Sequence, residues 1–242
     1  MRSHPGGRTQ AQAAAIAILV AGDLLASRPG ARTSAAAIRL GAAMAVLGIA
    51  RTAGVSWAEL GLGQDDLRSG VRTGAAAAAC VAGTVLAGAA VPGTRSLFLD
   101  ERAAADDDRG LAVRLASITL AAVPAEELAY RSALLGLWLG TDRRRAVAWS
   151  SVLFGLSHVS PTLSTMSQTA AGRHLAERPL RQAAFVGGNV AVTGLAGAAF
   201  AWLRLRSGSV LAPVLAHAAL NDAALLAARA VHASAPRRTE AI

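Results

Sequence analysis

The sequence has no lysine, a single cysteine and few aromatic residues, and these shortages remove whole classes of protein. Cys80 stands alone, so no disulfide framework can staple the chain. Charged residues make up 16% of the 242, against roughly 25% in an average soluble domain. Apolar residues make up 53%, and mean hydropathy is +0.42. A disordered chain needs low hydrophobicity and is excluded. An ordinary soluble enzyme is also a poor fit, because the apolar residues come in long runs.

The net charge of +9 and the pI of about 11.5 invite a nucleic-acid reading. Aromatic residues are only 4%, however, which leaves few platforms on which bases could stack. The 24 basic residues are all arginine, and most lie between apolar runs, as in loops that flank membrane spans. The expected partner is therefore a lipid bilayer and not nucleic acid.

A hydrocarbon core about 30 Å thick needs roughly 20 apolar residues as helix. By that measure the fold class is all-α, a polytopic transmembrane helical bundle of about seven to eight spans. The candidate spans are approximately Ala11–Ala26, Ala35–Ala50, Gly70–Val91, Leu111–Gly140, Ala146–Val159, Ala183–Leu205 and Ser209–Val231. Arg2 and Arg8 precede a short apolar core, as in a signal peptide. Asp23 interrupts that core and further spans follow, so an uncleaved first helix is expected. The connections are polar or rich in turn formers. Ser27–Ser34 and Thr141–Arg145 are arginine-rich, Trp57–Arg68 reads as interfacial, Gly93–Arg109 carries Asp106, Asp107 and Asp108, and Ser160–Gln182 is longer and polar. The arginines divide too evenly between alternate loops to fix an orientation. Gly187, Gly188, Gly194 and Gly197 predict close helix packing in the sixth span.

Charged side chains are costly inside a bilayer, so polar groups within spans mark where function lies. The first cluster is PAEELAYR, Pro124 to Arg131. Pro124 is expected to break or kink the long fourth segment, since proline suits the first turn of a new helix. Glu127 and Arg131 are spaced i, i+4 with the acid first, the favourable order for an ion pair. Glu126 lies about 100° further round the helix, so Arg131 can neutralise one carboxylate and leave the other as a general base. The plainer reading is an ion pair that only holds helices together. The second cluster is FGLSH, which puts Phe154 and His158 on one face of the fifth segment. Ser157 is discounted as a nucleophile, because the G-x-S-G of rhomboid-type proteases is missing. The third is HAALN, which puts His217 and Asn221 on one face of the last segment, one turn after Pro213. That pair suits donors aimed at a developing oxyanion, or simple interhelical hydrogen bonding. Asp222 reads as an interface or supporting contact. Nothing comparable stands out in the first three spans, and a single polar cavity is the cheapest way to satisfy all three clusters.

The ordered set Glu126-Glu127-x-x-x-Arg131, Phe154-x-x-x-His158 and His217-x-x-x-Asn221 resembles the CPBP family of CAAX proteases and bacteriocin-processing enzymes. That family is also called the type II CAAX prenyl endopeptidase or abortive-infection family. The resemblance covers about half the chain, roughly Leu111–Arg229, and divides it into N-terminal helices (1–110), a CAAX-protease-like core (111–231) and a polar tail (232–242). It implies an all-helical intramembrane endopeptidase. Glu126 would activate water and His158 would position it, His217 and Asn221 would stabilise the oxyanion, and Glu127 and Arg131 would shape the site. The family is often labelled metalloprotease, and Glu126, His158 and His217 could supply three ligands to Zn2+. H-E-x-x-H is absent and Asn221 is a poor zinc ligand, so the favoured reading is a glutamate-activated water with no required metal. The implied partner is a membrane-associated protein or peptide substrate. The composition looks bacterial, which implies the cytoplasmic membrane. Two other readings stay open: a non-catalytic scaffold or bacteriocin-immunity protein with the same fold, and a small transporter using Glu and His as a proton relay.

Overall fold

Runs of alanine and leucine, with proline confined to a few positions, favour helix throughout. The computed structural model describes residues 5–28, 30, 31, 34–98, 110–168, 174 and 176–234, and these contain helices and no strand. We number the main helices α1 (Pro5–Ala26), α2 (Ala35–Thr52), α3 (Leu67–Ala90), α4 (110–139), α5 (Arg143–Ser157), α6 (Val159–Gln168), α7 (Pro179–Ser207) and α8 (Leu211–Ser234). Asp106, Asp107 and Asp108 lie outside the described residues.

Among the described residues five helices are long and apolar enough to cross a membrane: Gly7–Ala26, Ala35–Thr52, Gln64–Ala90, Pro179–Ser207 and Leu211–Ser234. That measure does not confirm the expected seven to eight spans. The segment expected at Ala146–Val159 forms α5, a helix of only 15 residues. The segment expected at Leu111–Gly140 is helical almost throughout but changes its winding. Large apolar side chains point outward, with Leu120 76% and Leu195 73% exposed, as a lipid-facing surface requires. The protein is an all-helical integral membrane protein.

The main core is shared between the two halves of the chain. Ala15 and Leu19 of α1, and Ala43, Val46 and Ala50 of α2, pack on Ala129, Ala133 and Leu134 of α4. Alanine on the first two helices lets them approach α4 closely, which matters because their side chains reach the site. The connection after α2 is pinned from inside: buried Arg204 of α7 donates to the carbonyls of Ala58 and Glu59 at 3.2 and 2.7 Å. Gly61 (φ +73°) lies against that guanidinium with no room for a Cβ. In the same loop the Ser56 N–H donates to Glu59 at 2.7 Å, which holds the Glu59 carboxyl below its usual range.

Pro124 does not break α4. The α-helical pieces Gly110–Ser117, Val123–Glu127 and Leu135–Leu139 are joined by π turns at Ile118–Ala122 and Leu128–Leu134. Proline lacks an N–H and so removes one rung of the ladder. The π turn just before Pro124 widens the helix there, and the helix continues. Within the second π turn the Tyr130 carbonyl accepts a bond from Ser150 Oγ at 2.8 Å, which ties α4 to α5. Such π turns recur at functional sites.

Two of the four glycines of the sixth span do pack closely. A Cβ on Gly155 of α5 would fall 2.6 Å from the Val190 carbonyl and 3.3 Å from Gly194, so α5 and α7 touch backbone to backbone. A Cβ on Gly197 would fall 2.9 Å from Arg131 Nη2. Gly187 and Gly188 face open space, contrary to expectation, because they lie outside this crossing. Gly155→Ala is therefore expected to destabilise the bundle by about 1–3 kcal/mol through overpacking. Thermal unfolding in detergent checks this, and an unchanged midpoint would contradict it.

Candidate active site

Glu127 and Arg131 sit one turn apart on α4, and both side chains are fully buried. Arg131 Nη1 lies 3.4 Å from Glu127 Oε1. None of the guanidinium nitrogens makes an aligned hydrogen bond, so the contact is mainly electrostatic. Aromatic faces supply the rest of the cation's environment. The guanidinium carbon lies 3.9 Å from the centre of the Phe154 ring, 5.4 Å from Phe200 and 5.9 Å from Tyr130. Cation–π contacts strengthen when desolvated, as here.

Across the bundle, His217 Nδ1 lies 2.8 Å from the same Glu127 oxygen. A carboxylate can only accept, so Nδ1 carries a proton and donates. The ring stacks on Phe200 at 4.8 Å and meets Phe154 edge-on at 5.9 Å. Its other nitrogen, Nε2, lies 3.9 Å from Glu126 Oε2. Glu127 is thus engaged from both sides. Glu126, its neighbour in sequence, has no such partner and is 26% exposed.

His158 stands where α5 ends. Its backbone N–H turns to the Gly155 carbonyl at 3.1 Å, in place of the regular helix bond to Phe154. The Phe154 carbonyl accepts from His158 Nδ1 and from Ser157 Oγ, each at 2.8 Å. A carbonyl also only accepts, so Nδ1 again carries the proton and Nε2 of the neutral ring presents a lone pair. Phe154 packs edge-on against the ring with centroids 4.7 Å apart, which holds its orientation. Ser157 spends its hydroxyl on the helix end.

A cavity of about 180 Å³ opens on this cluster. Glu126, Tyr130, Ser157 and His158 line it together with Asp23 and Arg39. The residues of the three motifs are placed differently with respect to it. Glu126 and His158 share the cavity; His217 and Asn221 are not among its lining residues. His217 adjoins Glu126 through Nε2 and is bonded to Glu127 through Nδ1. Asn221 is one turn further along α8 and half-buried. Asp222, beside it, accepts a 2.7 Å bond from Thr119 in the first π turn of α4.

The expectation that the first three spans hold nothing comparable is corrected. Asp23 of α1 and Arg39 of α2 form an ion pair at 3.7 Å and face the cavity. Each is a lone charge in an apolar run. Only the cost of an intramembrane charge could have singled them out.

Among the described residues no group of three or more His, Cys, Asp or Glu side chains is placed to hold a metal ion. The Nδ1 bonds of His158 and His217 are of the kind that orient metal ligands.

Residues 108–222 match the family model described as type II CAAX prenyl endopeptidase Rce1-like. All seven residues singled out by the three motifs fall within that segment, and the match is to the family suggested by their spacing. No curated protein and no solved structure matches the chain.

Proposed function

We propose that this membrane protein is an intramembrane endopeptidase, which hydrolyses a peptide bond of a membrane-associated protein or peptide with a water activated by Glu126. The observation that carries this reading is the split between adjacent carboxylates. Glu127 is buried and its Oε1 is shared by Arg131 and His217, whereas Glu126 is left open to the cavity it shares with His158.

The chemistry follows from the hydrogen-bonding roles. Glu126 and His158 Nε2 both accept, so a water between them donates its two hydrogens and turns a lone pair away from both. That lone pair attacks the carbonyl carbon as a proton passes to Glu126. The oxyanion then needs donors. Asn221 supplies an amide N–H, and His217 supplies Nε2–H in its doubly protonated form, since Nδ1–H is already given to Glu127. Glu126 returns its proton to the amide nitrogen as the carbon–nitrogen bond breaks. A carboxylic acid and an amine result. No step is routed through a metal.

The test is cleavage of a membrane-peptide library by purified protein, with fragments read by mass spectrometry. Wild type is expected to cleave, and His158→Ala is expected to be slower by about 10²-fold, as for a misplaced reactant. Equal rates would leave the same fold as a non-catalytic scaffold. Exhaustive treatment with a chelator is expected to leave the rate unchanged. A loss of activity restored by stoichiometric zinc would replace this mechanism with a metal-dependent one.

A further inference from the structure

Part of the lining of the cavity that holds Glu126 and His158 comes from α1 and α2, helices outside the segment that matches the peptidase family. Gly22 lets these helices meet closely there; a Cβ on it would fall 2.9 Å from the Ala42 Cβ. The neighbouring Asp23 and Arg39 both line the cavity. Their side chains are 25% and 32% exposed, and Asp23 Oδ1 lies 3.7 Å from Arg39 Nε. That distance is longer than a hydrogen bond, so the pair does not consume the acceptor and donor capacity it presents. Intramembrane charges usually line a polar pathway or a site, and these two face the same space as Glu126.

Electrostatics narrows what they could hold. The pair adds no net charge to the cavity. A charged ligand group would engage one partner and leave the other uncompensated. A neutral peptide main chain offers N–H groups to Asp23 and C=O groups to Arg39 and leaves the balance intact. Resting on the peptidase reading above, we infer that Asp23 and Arg39 clamp the extended main chain of the substrate beside Glu126, so that the N-terminal helices supply substrate positioning for chemistry carried by the family-matching segment. Recognition of main chain selects for an extended, unfolded peptide segment and tolerates many side chains.

Binding is measured on a Glu126→Gln background, with a fluorescein-labelled, end-capped peptide of alternating leucine and alanine in detergent micelles. Fluorescence anisotropy gives Kd. The apolar pair Asp23→Leu with Arg39→Met is expected to weaken binding at least tenfold while the protein still unfolds cooperatively. Exchanging the charges, Asp23→Arg with Arg39→Asp, keeps the ion pair but inverts donor and acceptor, and is expected to leave binding equally weak. A purely structural ion pair predicts that the exchanged protein binds like its parent, and that result overturns the proposal. A third arm needs no variant: N-methylating alternate amides of the peptide is expected to weaken binding to the parent at least tenfold. Unchanged binding of the methylated peptide, or no binding of the unmodified one, also overturns it. Cleavage by protein with Glu126 intact is scored separately. Binding without cleavage would sink the catalytic reading, and cleavage with binding indifferent to Asp23 and Arg39 would sink this one.

Discussion

Glu126→Gln is expected to lower kcat by about 10²–10⁴-fold, the range over which a positioned general base contributes to catalysis. Its fold is expected to survive, because Glu126 is partly exposed to the cavity and its nearest charged contact, His217 Nε2, is 3.9 Å away. Glutamine keeps the shape and can still accept from water, but it cannot take the proton. KM should therefore move little while kcat falls. The matching change one residue later separates the two carboxylates. Glu127→Gln removes the negative charge that faces both His217 Nδ1–H and Arg131, so it should lose stability as well as activity. Cleavage rates and unfolding midpoints for both proteins decide the matter. If Glu126→Gln cleaves at the wild-type rate, or if Glu127→Gln alone abolishes cleavage at full stability, the roles assigned to the two acids are wrong.

Much of this arrangement was legible in the sequence for a simple reason. Oil makes charged side chains conspicuous, and helical spacing says which of them share a face. Glu127 with Arg131 at i, i+4 is a local relation, and the structure holds it. The pairing of His217 with Glu127 spans 90 residues, and no periodicity encodes it. That bond joins α8 to α4 at the site, and the faces of single helices do not reveal it. The pairing of Asp23 with Arg39 is hidden for the same reason. Each is unremarkable on its own helix, and they become a pair only because Gly22 and Ala42 let α1 and α2 close together. The winding of α4 was hidden too. Proline predicts a missing rung, but whether the chain kinks or takes up the slack as a π turn depends on what packs around it.

Arg131→Met is expected to destabilise the protein by about 3–5 kcal/mol, the usual cost of stranding one member of a buried ion pair. The side chains of Arg131 and Glu127 have no exposed surface, so water cannot take over for the lost partner. Methionine fills similar space against Phe154 and Phe200 but brings no charge, and it also forfeits the cation–π contacts at 3.9 and 5.4 Å. The double change Arg131→Met with Glu127→Gln removes both charges and is expected to recover most of the loss, because an apolar or neutral replacement of a buried pair is often neutral or stabilising. Recovery of fold should not bring recovery of chemistry. With Glu127 neutral, glutamine can still accept from His217 Nδ1 but no longer balances a doubly protonated ring. Oxyanion stabilisation by His217 needs that protonated ring, so kcat should stay low while the unfolding midpoint returns. A double variant that is both stable and fully active would show that the buried pair only cements α4, and that the oxyanion is held elsewhere. A stable single Arg131→Met would show that Glu127 takes up a proton and goes neutral when its partner is gone, which would remove the charge asymmetry on which the choice of Glu126 as base depends.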